Sequence, residues 1–578
     1  MKINLDHRPI ILIILALTVL VHLPVFTSRF TYDDREFVQQ NASVRSLGSA
    51  VAHFVSPFPP EQPERGLYRP LTAFSYAVDR ALWGPGPKGF HIVNLIYYLF
   101  TVLFVWLITE TCLGSTRAAL LTALLFAFHP VHCEVVDSVA GRSDLLSLLF
   151  SLIAVYSFTR YLRSGAKAGW YFVLSVVATA GSMLAKEIGV LTPFLLLAYL
   201  LFVAPAKAEG KPQRSSEPAR SFTKPFLCLW PFFALIPVYL ILRVSALGGR
   251  FGPDVTILES ASLSNTIYTI GRIFFEYIRL IFVPVTLNID AFYERTIGVQ
   301  QGPSPQAFVG LIVLLSTILL LIILMYRLFR ERRSPIVSNR SKRKLPSHTR
   351  FPDHGVMIWA LCFFLLYLFP VSHIIPFGAL MAERFLFAPS FGLILFLIAG
   401  LRRPVTAMIR SRFLLTVSGA ALLILICGLL GIRSYTRSSE WYDPVTLWIP
   451  VEREIKDDYR VYNNLAIGYI GRGNSGEAIR MLQRSIGIKP DHVPALNNLG
   501  YIHLKEGRYD EAEQVFLALT RTRPRYYYAW NSLGAIEVRR GNLEKALQYF
   551  RQALAINPNY LSARRNIMRI NQTLKRHQ

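Results

Sequence analysis

Two adjacent carboxylates, Asp33 and Asp34, follow the first apolar stretch of the chain, with Glu36 close behind. Three acids this close read either as a ligand set for a divalent cation or as a plain solvated turn. His129, His132 and Glu134 have spacings that a zinc site uses. Pro130 breaks the helix that would align them, so capping and supporting roles are the stronger reading. Further ionisable residues gather in Tyr68-Arg69, Asp79, His91, the connector from His129 to Asp144 with its Arg142, Lys186-Glu187, and the loop from His373 through Glu383 to Arg384. Many lie beside Gly, Pro or aromatic residues at the ends of apolar segments, where a charge has to find a partner or a cavity.

The elements that must position these groups are membrane spans. Of 578 residues, 52% are hydrophobic, and they come in blocks near the roughly 20 residues that cross a bilayer. Apolar segments fall at about 9–26, 91–110, 116–133, 145–162, 170–184, 188–203, 225–243, 267–286, 306–326, 356–375, 385–401 and 413–431. The first follows Lys2 and Arg8, lacks a small-x-small cleavage site, and reads as a retained anchor with a cytoplasmic N-terminus.

The net charge of +26 sits largely in short connectors, as the positive-inside rule requires, which argues against nucleic acid as a partner. Twelve crossings would put the connector 327–350, with nine Lys/Arg and one Glu, outside. Segment 267–286 carries Arg272, Glu276 and Arg279 as one helical stripe, each costing roughly 2.5–3.5 kcal/mol at a span centre. It is expected to be an amphipathic helix at the outer interface. Eleven spans remain, with 204–224, 327–355 and 402–412 cytoplasmic and the C-terminus outside. That topology gathers the ionisable groups named above on one face, joined by Asn288-Ile-Asp290. The five cysteines show no paired spacing, so neither a disulfide framework nor a zinc site is expected.

From about Asp458 the chain repeats every 34 residues: Asn463, Asn497 and Asn531; Leu465, Leu499 and Leu533; Gly473, Gly507 and Gly541; Ala478, Ala512 and Ala546; Pro490, Pro524 and Pro558. This period resembles the tetratricopeptide repeat, a stack of helix pairs with a concave groove suited to peptides or protein partners. The fold class is therefore all-α: a polytopic membrane helix bundle of about eleven spans over 1–432, then a soluble tetratricopeptide-repeat α-solenoid over 433–578. About three repeats and a capping helix near 560–574 are expected.

The ordered series Asp33-Asp34, Tyr68-Arg-Pro-Leu71, His91-Ile-Val-Asn94, His129 to Glu134, Gly141-Arg-Ser-Asp144, Lys186-Glu187 and Ala382 to Leu386 resembles the transmembrane-and-tetratricopeptide protein O-mannosyltransferases of the GT-C glycosyltransferase superfamily. That resemblance implies a GT-C-like catalytic bundle and a polyprenyl-phosphate-linked, mannose-like sugar donor. It also implies transfer to a protein hydroxyl or envelope glycan on the outer face, with the acceptor held by the repeat groove. On it, Asp34 is the expected base and Asp33 its close rival. Arg384 is the first choice to stabilise the departing phosphate, then Arg69 or Lys186. His91, His129, His132, Glu134, Arg142, Asp144, Glu187 and Glu383 would support or position substrate. A monophosphate leaving group lessens the need for a metal, so no cofactor is expected, a divalent cation at the acidic pair being the other possibility. With only about three repeats, a bacterial inner membrane with the repeats on the periplasmic side is the expected location, or the endoplasmic reticulum membrane in a eukaryote. The competing reading is a non-catalytic, membrane-anchored scaffold for envelope assembly.

Overall fold

The computed structural model describes residues 8–60, 63–164, 169–204, 227–250, 258, 261–333, 353–373, 378–408, 412–558 and 560–577. The connectors 204–224 and 327–355, expected to be cytoplasmic, lie largely outside the described residues. The chain forms two compact units, Met1–Tyr442 and Asp443–Gln578. The division falls beyond 432 because the last apolar helix, Arg412–Glu440, runs past that point.

Among the described residues of the first unit, six helices are long and apolar enough to cross a membrane: Pro87–Leu113, Arg142–Arg163, Pro305–Arg330, Asp353–Val371, Glu383–Arg402 and Ala421–Glu440. A seventh is a bent pair, Thr116–Ala127 and Pro130–Asp137, with a 54° turn at the break. Pro130 explains the break, since its ring cannot continue the hydrogen-bond ladder. Shorter apolar helices are Pro9–Val21, Gly169–Ala185, Glu187–Phe202 and Trp230–Ala246. These helices fall on the eleven segments expected to span, but four of them are shorter than a full span; the chain is an integral membrane protein.

Segment 267–286 forms helix Leu263–Phe282, capped by Ser262, whose side chain accepts from the Asn265 amide. Glu276 pairs with Arg272 at 2.6 Å and Arg279 at 2.5 Å along its polar stripe. Its apolar face, with Phe274, Tyr277 and Leu280, packs with Phe364, Leu368 and Leu386. Contact with helix Pro305–Arg333 is so close that a Cβ on Gly310 would lie 1.8 Å from the Gly271 carbonyl, so only glycine fits. The helix thereby delivers the loop 283–290 to Glu383 and Arg384.

The second unit begins with helix Pro444–Glu454 and continues as three helix pairs: Tyr459–Gly471 with Ser475–Ile488, Val493–Lys505 with Tyr509–Thr522, and Tyr527–Arg540 with Leu543–Ile556. Helix Leu561–His577 follows them. Gly473, Gly507 and Gly541 turn each pair with φ near +80° (77°, 78° and 84°), a left-handed conformation that explains glycine at this repeat position. Ala478, Leu482, Ala512, Phe516, Ala546 and Phe550 fill the layers between helices. The expected repeat solenoid is what forms.

Candidate active site

The loop after the first helix separates its two aspartates. Asp34 is fully buried, and its carboxylate accepts from the Thr31 amide (3.0 Å) and hydroxyl (3.3 Å), the Ser138 hydroxyl (2.9 Å) and the Ala140 amide (2.8 Å). It fastens its own loop to residues 138–140. Burial raises its pKa, and the His91 charge and these hydrogen bonds oppose that rise. Asp33 is half-buried, and its carboxylate makes no hydrogen bond or ion pair among the described residues. Burial and then the charge of Asp290 push it up to about 7, against the pull of Arg384 and Arg65. Tyr32, just before it, has φ +44°, a left-handed conformation costing a bulky residue about 1–2 kcal/mol. Its hydroxyl donates to Asp290 at 2.6 Å.

Arg384 sits in the short turn Glu383–Leu386, just before the apolar run of its helix. Its backbone amide donates to Glu134 at 2.8 Å, and its guanidinium bonds Glu134 and, at 2.9 Å, Asp290. Glu383 accepts from the Asn288 amide and from the Tyr293 hydroxyl (3.0 Å), and pairs with Arg437 at 3.1 Å. Arg437 in turn holds Glu440 at 2.6 Å. Glu383 is thus a buried strut for the loop that carries Asp290.

On the other side, Arg69 grips Glu187 with two bonds of 2.7 and 3.1 Å. Lys186 donates to both oxygens of Asp144 at 2.7 Å. Burial lowers the Lys186 pKa while Asp144 opposes the drop. A cavity of about 310 Å³ lies here: Asp144, Lys186, Glu187 and Arg384 form its charged lining, and Leu148, Ile188, Val190, Phe369 and Phe387 are part of an otherwise largely apolar wall.

The remaining expected residues take other places. Arg142, fully buried, pairs with Asp79 at 2.5 Å and donates to Asn94 (2.7 Å) and the Phe90 carbonyl (2.9 Å). His91 Nε2 lies 3.3 Å from the Arg29 carbonyl. His129 bonds the Ile281 carbonyl at 2.9 Å, and His132 bridges Tyr98 and Ser390, both at 2.9 Å. These two histidines and Glu134 each have separate partners. Among the described residues, the His/Cys/Asp/Glu group whose ligand atoms lie within 4.8 Å of one another is instead His22, Cys133 and Asp137. There His22 Nδ1 bonds Asp137 at 3.0 Å.

Sequence reading missed the weight of Asp290, Tyr32 and Arg437. Asp290 carried a signal in its position just beyond a charged amphipathic helix, but its partners lie far off in the chain.

A family model, Dolichyl-phosphate-mannose-protein mannosyltransferase, matches residues 69–211, and a tetratricopeptide-repeat model matches 463–526 and 507–560. Protein O-mannosyl-transferase TMTC3 of Homo sapiens is 22% identical over 85% of this chain and 52% of its own length. The chain resembles protein O-mannosyl-transferases and itself carries tetratricopeptide repeats. Protein O-mannosyl-transferase TMTC4 of Homo sapiens is 35% identical over 28% of this chain and 25% of its own. The chain thus spans about half, or less, of the curated relatives it matches. Among solved structures, ArnT from Cupriavidus metallidurans bound to undecaprenyl phosphate aligns with 15% identity and a TM-score of 0.39, covering 89% of this chain and 80% of that one. At that TM-score the likeness adds nothing to the fold described above.

Proposed function

We propose that this protein is a membrane glycosyltransferase that moves a sugar from a polyprenyl-phosphate donor to a protein hydroxyl, with a cell-envelope glycan as the other acceptor class, on the outer face of the membrane. The observation that carries the reading is the cavity, largely apolar along its wall and lined by Lys186 and Arg384. An isoprenoid needs an apolar wall, and its phosphate needs fixed cations. Both cations have carboxylate partners, yet each keeps N–H donors free for a phosphate: a guanidinium has five and an ammonium three. Mannose is the sugar suggested by the name of the matching family and of the relatives.

In this reading Asp33, rather than the expected Asp34, takes the proton of the acceptor hydroxyl. Support comes from its unengaged carboxylate and its pKa of about 7, close to that of an effective base at neutral pH. The hydroxyl oxygen attacks the anomeric carbon, the sugar–phosphate bond breaks, and polyprenyl monophosphate leaves toward Arg384 and Lys186 with inversion. Arg69 fixes Glu187 beside Lys186. Asp34, Arg142 and Glu383 hold the loops in place. No resident metal is invoked, since the leaving group is a monophosphate. The repeats would take the acceptor chain, as helix-pair stacks bind extended segments.

The test is transfer in proteoliposomes holding the full chain, labelled polyprenyl-phosphate mannose and a Ser/Thr-rich peptide, alongside mass spectrometry of envelope proteins and glycans from a deletion strain. Label in the peptide or an envelope glycan, lost with the gene, supports the proposal. Unchanged glycosylation together with no transfer from mannosyl or other hexosyl lipids favours the scaffold reading.

A further inference from the structure

We propose that Asp290 is a positioning residue of the site: it ties the loop that carries Asp33 to the guanidinium of Arg384. The inference rests on the reading just given and adds to it a residue to which the sequence assigned no role.

The two oxygens of Asp290 serve distant parts of the chain. Oδ1 accepts the Tyr32 hydroxyl at 2.6 Å, and Oδ2 accepts Arg384 Nη2 at 2.9 Å. Tyr32 immediately precedes Asp33, and its left-handed backbone (φ +44°) is the kind of local strain that surrounding contacts must hold in place. Glu134 also holds Arg384, through its amide and guanidinium. The two acids therefore differ in consequence. Without Glu134 the guanidinium loses one anchor; without Asp290 both the guanidinium and the base-bearing loop lose one.

Charge gives an independent handle. The charged groups that act on Asp33 are Asp290 and Glu36, which favour its protonated form, and Arg384 and Arg65, which favour its ionised form. After burial, Asp290 has the largest influence. Removing its charge lets Asp33 ionise at lower pH and leaves it a weaker base. The acid limb of the pH profile and the maximal rate should therefore both fall, a combination that a merely structural lesion does not produce.

The experiment uses the full chain in detergent. The Asp33 carboxyl is titrated by infrared difference spectroscopy, with Asp33→Asn as the reference, in wild type, Asp290→Asn, Asp290→Glu and Tyr32→Phe. The midpoint is expected to drop by about one unit in Asp290→Asn and to stay near wild type in the other two, which keep the charge. In proteoliposomes with polyprenyl-phosphate mannose and the peptide, kcat should fall about tenfold in Asp290→Asn and several-fold in Tyr32→Phe, with partial recovery in Asp290→Glu. An unmoved midpoint in Asp290→Asn overturns the inference whether or not transfer is detected. Full activity in Tyr32→Phe overturns the tether. Absence of transfer in wild type, with the midpoint shifted as expected, counts against the glycosyltransferase reading and upholds the electrostatic coupling of Asp290 to Asp33.

Discussion

The two aspartates are neighbours in sequence and stand in regions of opposite character. The Asp34 carboxylate is engaged: it takes four hydrogen bonds, and nearby Arg142 is clasped by Asp79, Asn94 and a backbone carbonyl. The Asp33 carboxylate, without a partner among the described residues, faces the influence of Arg384 and Asp290, while Arg384 and Lys186 line a cavity. A satisfied buried network costs little to keep and much to break, so it fixes geometry. An unsatisfied acid near fixed cations costs stability and persists where it serves a reaction. The comparison divides the polar residues into those that shape the site and those that act in it.

The division can be broken by experiment. The largest expected effect is on the engaged side. Arg142→Met strands Asp79 as a buried charge, and loss of about 3–5 kcal/mol, read as a fall in thermal midpoint or as failure to accumulate in the membrane, is expected. A variant that folds normally would remove Arg142 from the framework. Next, Arg384→Met also strands the buried Glu134, so it is compared per folded molecule, and transfer should fall about 10²-fold or more because one fixed cation at the departing phosphate is lost. A change in donor KM alone would move Arg384 from transition-state stabilisation to simple binding. Asp34→Ala should cost about 2–3 kcal/mol of stability through the amide and hydroxyl donors left unpaired, and lower activity only as far as it lowers the folded fraction.

The smallest effect concerns pH and stability at Asp33. Its folded pKa of about 7 lies above the ordinary carboxylate value, so the folded state binds the proton more tightly than the unfolded state. Stability is thus expected to decline as pH rises from near 4 through 7, and Asp33→Asn should reduce that slope. A wild-type slope unaltered in Asp33→Asn would show that another group produces it.

Much of the architecture was legible because it rests on local pattern. Hydrophobic length located the spans, Arg272, Glu276 and Arg279 marked the amphipathic helix, and the 34-residue period marked the repeats. Charge counting led to the expectation that Asp33, Asp144, Lys186, Glu187 and Arg384 share one face, and the last four line one cavity. What could not be read was which acid is engaged. Asp34 is occupied by Ser138 and Ala140, and Tyr32 reaches Asp290, contacts set by how spans pack rather than by any pattern near residue 33. By contrast, the break at Pro130 was legible in the sequence, and the structure gives His129, His132 and Glu134 each a different neighbour.

The central claim, that the unengaged carboxylate is the base, is tested most directly by single-turnover transfer with Asp33→Asn and Asp34→Asn, compared at equal concentrations of folded protein. The account predicts a loss of about 10²–10⁴-fold for Asp33→Asn and a near-wild-type rate per folded molecule for Asp34→Asn. Transfer that survives in Asp33→Asn and vanishes in folded Asp34→Asn would contradict it.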